Sequence, residues 1–284
     1  MNHHPENINS FTGQNSTNIF YRHLPAENEK AQLVIAHGLG EHSGRYVNLF
    51  NRLVPAGFSI WALDFRGHGR SEGKRGHIDS FDQFVLDLKN LIEIARKNGQ
   101  TAAKLFLVGH SMGGLIALNY TERFSETIDG VVASSPGLGL TVQVPAVKSF
   151  IGKVMSSIWP GLSMGNELDA SKISHDPDVV KAYLDDPLVH DRVTARFFTE
   201  FMSAMDETNA NVSGIKVPIL MQVAGKDHLT DAQSAKTFFE HLDVPDRTLH
   251  FYDRLYHEVY NETPAEKEAV IDDLEKWLGE HLQV

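Results

Sequence analysis

Six short runs along the chain carry apolar residues on successive positions: 32–37 (QLVIAH), 58–64 (FSIWALD), 104–110 (KLFLVGH), 130–135 (GVVASS), 218–225 (PILMQVAG) and 248–253 (TLHFYD). Their length and their branched and aromatic content predict strands. The lack of a period of two predicts strands buried on both faces, as in a parallel sheet covered by helices. Helical patterns fill the gaps. Phe81, Phe84, Val85, Leu88 and Ile92 share one helical face, and Ser80 with Gln83 forms a candidate capping box ahead of them. Thr263, Pro264 and Glu266 mark the start of another helix, whose apolar face is Val270, Ile271, Leu274 and Trp277. The alternation of strand and helix predicts an α/β fold with a mostly parallel, doubly wound sheet.

The alternation stops between about Gly137 and Asn211. There Val147, Phe150, Ile151, Val154, Met155 and Trp159 follow helical spacing, as do Ala195, Phe198, Phe201, Met202 and Met205. The predicted organisation is a first core part at 1–136, a helical cap at 137–211 and a second core part at 212–284. The apolar cap faces either pack on the core or line a groove for an apolar ligand.

Composition narrows the range of functions. The chain has 284 residues, 42% hydrophobic and 22% charged, which is ordinary for one globular catalytic domain. A net charge of -11 argues against nucleic acid as a partner, because phosphate backbones are held by clustered cations. With no cysteine, disulfides, thiolate metal sites and a thiol nucleophile are excluded. The segment MNHHPENINS lacks the cationic and apolar parts of a secretion signal, and no run is long enough to span a bilayer, so a soluble, cytoplasmic protein is expected. His3 and His4 are read as frayed chain rather than a metal tract.

The candidate chemistry centres on Gly109-His110-Ser111-Met112-Gly113, between the run KLFLV and the helical run LIALNY. A serine on a tight turn from strand to helix is pushed out at the sheet edge, and Gly109, Gly113 and Gly114 relieve the crowding. Such a nucleophile needs a base and an orienting acid, in the chain order Ser, acid, His. Asp227 follows the fifth run and His257 follows the sixth, so both stand at strand carboxyl ends. Asp231 is a rival acid, read instead as a helix cap. The spacing around His257-Glu258 lacks the second histidine of a zinc protease, since Asn261 stands at that position. For the oxyanion, the expected donors are the backbone amides of Met112 and of Leu39, the latter within His37-Gly38-Leu39-Gly40.

Taken together, HGLGEHSGRY at 37–46, DFRGHGRS at 64–71, GHSMGG, SSPGL and Tyr256-His257-Glu258 resemble the monoacylglycerol lipases and related lysophospholipases of the α/β-hydrolase fold. The likeness covers roughly 18–138 and 217–261. It implies Ser111, Asp227 and His257 as triad, Leu39 and Met112 as oxyanion amides, and a movable cap admitting one acyl chain. It also implies that Glu41 and Arg45 organise the polar end of the pocket, the alternative for this pair being a loop-bracing ion pair. Asp64, Arg66 and His68 match the family's structural turn. The sequence departs at Tyr260, where animal monoacylglycerol lipases carry a histidine, which bears on the glycerol-end contacts. The implied activity is cleavage of monoacylglycerols or similar single-chain lipid esters through an acyl-enzyme, without metal or cofactor. Lysophospholipase or broad carboxylesterase activity stays open, as does transient membrane contact through the cap. A peptidase of the proline-iminopeptidase kind would need cap carboxylates such as Glu167, Asp169, Asp176 and Asp178, and a noncatalytic binding protein would share the same core.

Overall fold

The computed structural model describes residues 5–99, 103–141 and 146–282, with backbone alone over 146–150. His3 and His4 lie outside the described residues, as do the side chains of Val147 and Phe150. The chain opens with an antiparallel hairpin, β1 (Asn7–Thr12) and β2 (Asn18–Leu24). Then β3 (Ala31–Ala36), α1 (Val47–Ala56), β4 (Phe58–Leu63), α2 (Asp82–Asn98), β5 (Lys104–His110), α3 (Met112–Phe124) and β6 (Gly130–Ser134) follow in strict alternation. An insertion carries α4 (Ala146–Ile158), β7 (Ser163–Gly165), α5 (Pro177–Asp185), β8 (Arg192–Thr194) and α6 (Ala195–Ala210). The alternation resumes with β9 (Ile219–Ala224), α7 (Ala232–His241), β10 (Arg247–Tyr252) and α8 (Pro264–Glu280).

The eight-stranded sheet has the order β1-β2-β4-β3-β5-β6-β9-β10. Pairings from β4 through β10 are parallel, and β2 joins β4 antiparallel. The six apolar runs are the six parallel strands. Successive residues of β3 serve opposite layers: Val34 and Ala36 face α2 and α3, while Leu33 and Ile35 face α1 and α8. This two-sided burial explains why no alternation was visible in the runs of β3, β4, β5, β6 and β9. By contrast β10, predicted to be buried on both faces, is the edge strand and keeps all six residues partly or fully exposed. The hairpin was not predicted, because β1 exposes five of its six residues and lacks an apolar signal. The insertion also holds a two-stranded antiparallel ribbon, β7 with β8, too short and too exposed to register as a buried run.

Helix starts deviate from the predicted boxes in detail. At α2 the Gln83 carboxamide oxygen accepts from the Asp79 amide (2.9 Å) and the Ser80 hydroxyl from the Asp82 amide (3.3 Å), so the box is displaced toward the chain's beginning. At α8 the Thr263 hydroxyl donates to the Glu266 carboxylate (2.6 Å) instead of each side chain capping an amide. Asp231 caps α7, accepting from the amides of Gln233 (3.2 Å) and Ser234 (3.1 Å). The faces of α2 and α8 are buried as predicted, from Phe84 to Ile92 and from Val270 to Trp277.

Candidate active site

In a doubly wound sheet the carboxyl ends of the parallel strands face one rim, where loops can converge. At that rim Ser111 follows β5 with φ 54° and ψ -118°, a backbone conformation costly for a residue with a side chain. Its amide donates to the Ser134 carbonyl (3.0 Å), and its own carbonyl accepts from Leu115 (3.1 Å) and Gly137 (3.0 Å). The flanking glycines permit the close approach: a Cβ on Gly113 would stand 2.1 Å from the Ala36 carbonyl oxygen, and one on Gly109 2.3 Å from that of Gly113. Helix α3 starts immediately after the serine, so its amino-terminal dipole end points at the site.

Asp227 and His257 meet across the loops that leave β9 and β10. His257 Nδ1 is 2.6 Å from Asp227 Oδ2. The carboxylate is held independently, accepting from the amides of Leu229 (2.8 Å) and Thr230 (3.0 Å) and from the Thr230 hydroxyl (2.8 Å). Burial alone would lower the His257 pKa, but the Asp227 charge and hydrogen bond, with Glu258 and Glu41 nearby, outweigh it and leave the pKa raised. Burial would likewise raise the Asp227 pKa, and the His257 interaction with the loop amides reverses this. Ser111 and His257 line a common cavity of about 370 Å³, with Asp227 behind the imidazole.

Leu39 and Met112 border that cavity beside Ser111. Met112 is the first residue of α3, where an amide has no acceptor within the helix. Leu39 is fixed from both sides. The Gly38 amide donates to Glu41 Oε1 (2.7 Å), and the Gly40 carbonyl accepts from the His190 amide (2.8 Å). Gly40 has φ +77°, and a Cβ there would meet the His190 carbonyl oxygen at 2.3 Å. Beneath this loop the Phe65 amide donates to His37 Nε2 (2.9 Å), which places the ring proton on Nδ1, donating to the Gly38 carbonyl (2.7 Å). Asp64 accepts from the Ser43 amide (2.9 Å) and the Arg70 amide (2.8 Å), and Arg66 forks onto Asp87 (2.7 and 2.9 Å). His68 is buried between His37 and His190. The turn read as structural is thus a brace under the loop.

Glu41 lines the cavity, whereas Arg45 lies behind it. Arg45 reaches Glu41 (2.8 Å) and forks onto Glu258 (2.6 and 2.8 Å), with its guanidinium 4.7 Å from the Tyr183 ring centre. Glu41 also accepts from the Tyr46 hydroxyl (2.8 Å). Burial would raise the Glu41 pKa, but Arg45, His110, His37 and the Gly38 amide together bring it down to about 2. The pair is therefore part of a network tying the Leu39 loop to the His257 loop. The third member, Glu258, was not singled out, since its partner is 213 residues away. His110, within the elbow, was not singled out either. It packs against His257 with ring centres 4.7 Å apart, and burial followed by the His257 charge pushes its pKa down to about 4.

Leu140, Leu168, Ile173, Leu184, Val189 and Phe201 give the cavity an apolar lining, to which the insertion adds the polar groups of Asn166, Tyr183, Asp186, His190 and Asp191. Of the predicted apolar residues in the insertion helices, Phe201 lines it, Met205 is buried in the core, and Ile151, Val154 and Trp159 are exposed. Leu184 comes from α5, and Leu168, Ile173 and Val189 come from the irregular chain on either side of it, which has no helical periodicity to reveal it. Tyr260 turns inward and donates to the Gln222 side-chain oxygen (2.6 Å), so it does not line this cavity. Asn166, Leu168 and Ala170 face the cavity, and the intervening Glu167 and Asp169 do not line it. Asp169 and Asp176 cap their own short helices, accepting from the amides of Ser171 (3.0 Å) and Asp178 (2.9 Å).

The chain matches the family model described as "Serine aminopeptidase, S33" over residues 27–264. It is 34% identical over 275 residues to the protein named "Monoacylglycerol lipase" from Mycolicibacterium smegmatis, covering 96% of this chain and 97% of that one. It is 30% identical to "Phospholipase YtpA" from Bacillus subtilis, covering 85% of this chain and 93% of the relative. The crystal structure of Paleococcus ferrophilus monoacylglycerol lipase superposes with a TM-score of 0.85 at 37% identity, covering 93% of this chain and 99% of that chain. The chain belongs to this family of serine hydrolases, as an α/β-hydrolase of the monoacylglycerol lipase type.

Proposed function

We propose that the protein hydrolyses monoacylglycerols, and similar single-chain lipid esters, to free fatty acid and alcohol through an acyl-enzyme on Ser111. The observation that carries this reading is that one cavity is lined both by Ser111 and His257 and by six apolar side chains, Leu140, Leu168, Ile173, Leu184, Val189 and Phe201. About 370 Å³ is in the range of small-ligand pockets, and the apolar lining suits one acyl chain. His257 takes the proton of Ser111 as the hydroxyl attacks the ester carbonyl, and the oxyanion is met by the amides of Leu39 and Met112. The imidazolium then protonates the leaving alcohol, and His257 activates water to release the acid. Asp227 stays ionised and steadies the imidazolium. Glu41, held as an anion, leaves a polar rim where a small alcohol would sit.

Residues 137–211 act as a cap in this reading, with α4 on its outer side. Ile158 and Trp159 are 76% and 61% exposed, which favours transient contact of the cap with a lipid surface. Of the cap carboxylates that a peptidase would call on, Asp169 and Asp176 are occupied as helix caps, and Glu167, Asp169, Asp176 and Asp178 do not line the cavity. The insertion carboxylates that do are Asp186, which faces His42 Nε2 (2.9 Å), and Asp191, so turnover of an amide substrate is the direct discriminator. Turnover of a panel of monoacylglycerols, lysophospholipids and an aminoacyl amide tests the assignment. Medium or long monoacylglycerols should be preferred, and Ser111→Ala should lose about 10³-fold or more in kcat. Wild-type turnover by that variant, or preference for the amide, contradicts the proposal.

A further inference from the structure

Glu262 is a buried carboxylate with no part in the chemistry above, and its side chain is 0% exposed. Such a group is stable only if its oxygens are satisfied. Oε1 accepts from the Tyr256 amide (2.6 Å) and faces His175 Nδ1 (2.9 Å), while Oε2 accepts from the amides of His175 (3.0 Å) and Thr263 (3.3 Å). Glu266 lies near enough for His175, Glu262 and Glu266 to resemble a metal cluster, their ligand atoms all within 4.8 Å. However, N–H donors already occupy the Glu262 oxygens, and Glu266 takes the Thr263 hydroxyl. The cluster is accounted for by hydrogen bonding.

The four donors come from three places: the residue just before His257, the start of α8, and the cap segment ahead of α5. Two further bonds run between cap and histidine loop: the Glu258 amide donates to the Ile173 carbonyl (2.8 Å), and the Ser174 hydroxyl to the Asn261 carbonyl (2.8 Å). The Tyr256 ring is stacked under His175 at 3.6 Å, and His228, next to Asp227, meets it edge-on at 5.1 Å. Ile173 itself lines the cavity. One carboxylate therefore closes the loop that carries the imidazole and grips the segment that walls the acyl pocket.

We infer that Glu262 is a positioning residue for His257 and the junction that clamps the cap to the histidine loop. The inference rests on His257 being the general base. The charged and titratable groups facing that imidazole are Asp227, Glu258, Glu41 and His110. Glu262 acts on it through the backbone of Tyr256. Loosening that loop lets the ring slip from Asp227, whose attraction keeps it basic, and misplacement on the scale of an ångström costs up to about a hundredfold in rate.

The experiment follows kcat, KM and the acid limb of the kcat profile for p-nitrophenyl acetate and p-nitrophenyl decanoate, with a thermal melt of each variant. Glu262→Gln should lower kcat about tenfold on both esters, leave the acetate KM within about twofold, and move the acid limb to lower pH. His175→Phe, which keeps the stack on Tyr256 but loses the ring bond, should raise the decanoate KM about fivefold and leave acetate kinetics near wild type. A Glu262→Gln enzyme with a lower melting temperature but an unchanged kcat or an unmoved limb overturns the positioning role. If that variant does not fold, His175→Phe decides alone, and an unchanged decanoate KM overturns the clamp. Ser111→Ala run alongside separates the two levels: activity surviving in it discards the general-base reading, whereas its loss with a wild-type Glu262→Gln discards only the inference.

Discussion

At the scale of single residues, the electrostatics of His257 make a prediction with a definite sign. The histidine works as a base only when neutral, and its pKa is held above the ordinary 6.5, with burial opposed and outweighed by Asp227. Thus kcat/KM for a soluble ester should rise with pH through a limb above 6.5. Asp227→Asn removes the charge that raises the pKa and leaves the burial that lowers it, so the limb should move to lower pH. The same change should cut kcat by about 10²- to 10⁴-fold, because the ring loses its orienting acceptor. A limb that stays in place would show that Asp227 does not set the imidazole's basicity. Linkage runs in opposite directions for the two partners. The raised His257 contributes stability below its unfolded pKa that is lost as pH rises through the folded one. The depressed Asp227 contributes stability above its unfolded pKa that is lost as pH falls through the folded one.

At the scale of elements, the elbow depends on how closely α3 approaches the end of β3. A methyl group on Gly113 would collide with the Ala36 carbonyl at 2.1 Å and that of His37 at 2.5 Å, both backbone atoms that cannot rotate away. Gly113→Ala should therefore destabilise the protein by about 1–3 kcal/mol, seen as a lower urea midpoint, and reduce kcat by displacing Ser111. A midpoint and kcat matching wild type would mean that strand and helix are free to separate. The elements themselves were largely legible: the six parallel strands, five of them buried and β10 at the partly exposed edge, follow from apolar runs, and α2 and α8 from helical faces. The edge hairpin and the β7–β8 ribbon were not, because an exposed strand is held by its backbone ladder and needs no apolar pattern. The apolar lining of the cavity was legible only in part, through Phe201, for a related reason. Apolar spacing marks a helix that buries a face, and it is silent about irregular chain such as 166–173 and 186–191 that closes over a pocket.

At the scale of the whole molecule, a net charge of -11 and an outward apolar stretch on α4 combine into a prediction about surfaces. Binding to zwitterionic phosphatidylcholine vesicles should exceed binding to anionic ones. Replacing Ile158 and Trp159 together by serine should weaken it about tenfold or more, with p-nitrophenyl acetate hydrolysis unchanged. Equal sedimentation of both proteins with vesicles would remove α4 as the contact. The residues proposed for chemistry stand out along the chain because each sits in a local context, a glycine-flanked turn or a loop after a strand, that the sequence spells out directly. Only the tertiary structure could decide that Arg45 joins Glu41 to Glu258, that Glu262 gathers donors from three segments, and that Tyr260 faces inward. Periodicity and motifs record what neighbouring residues do for one element. Buried charges find partners through space, and the sequence separations of such pairs carry no pattern of their own.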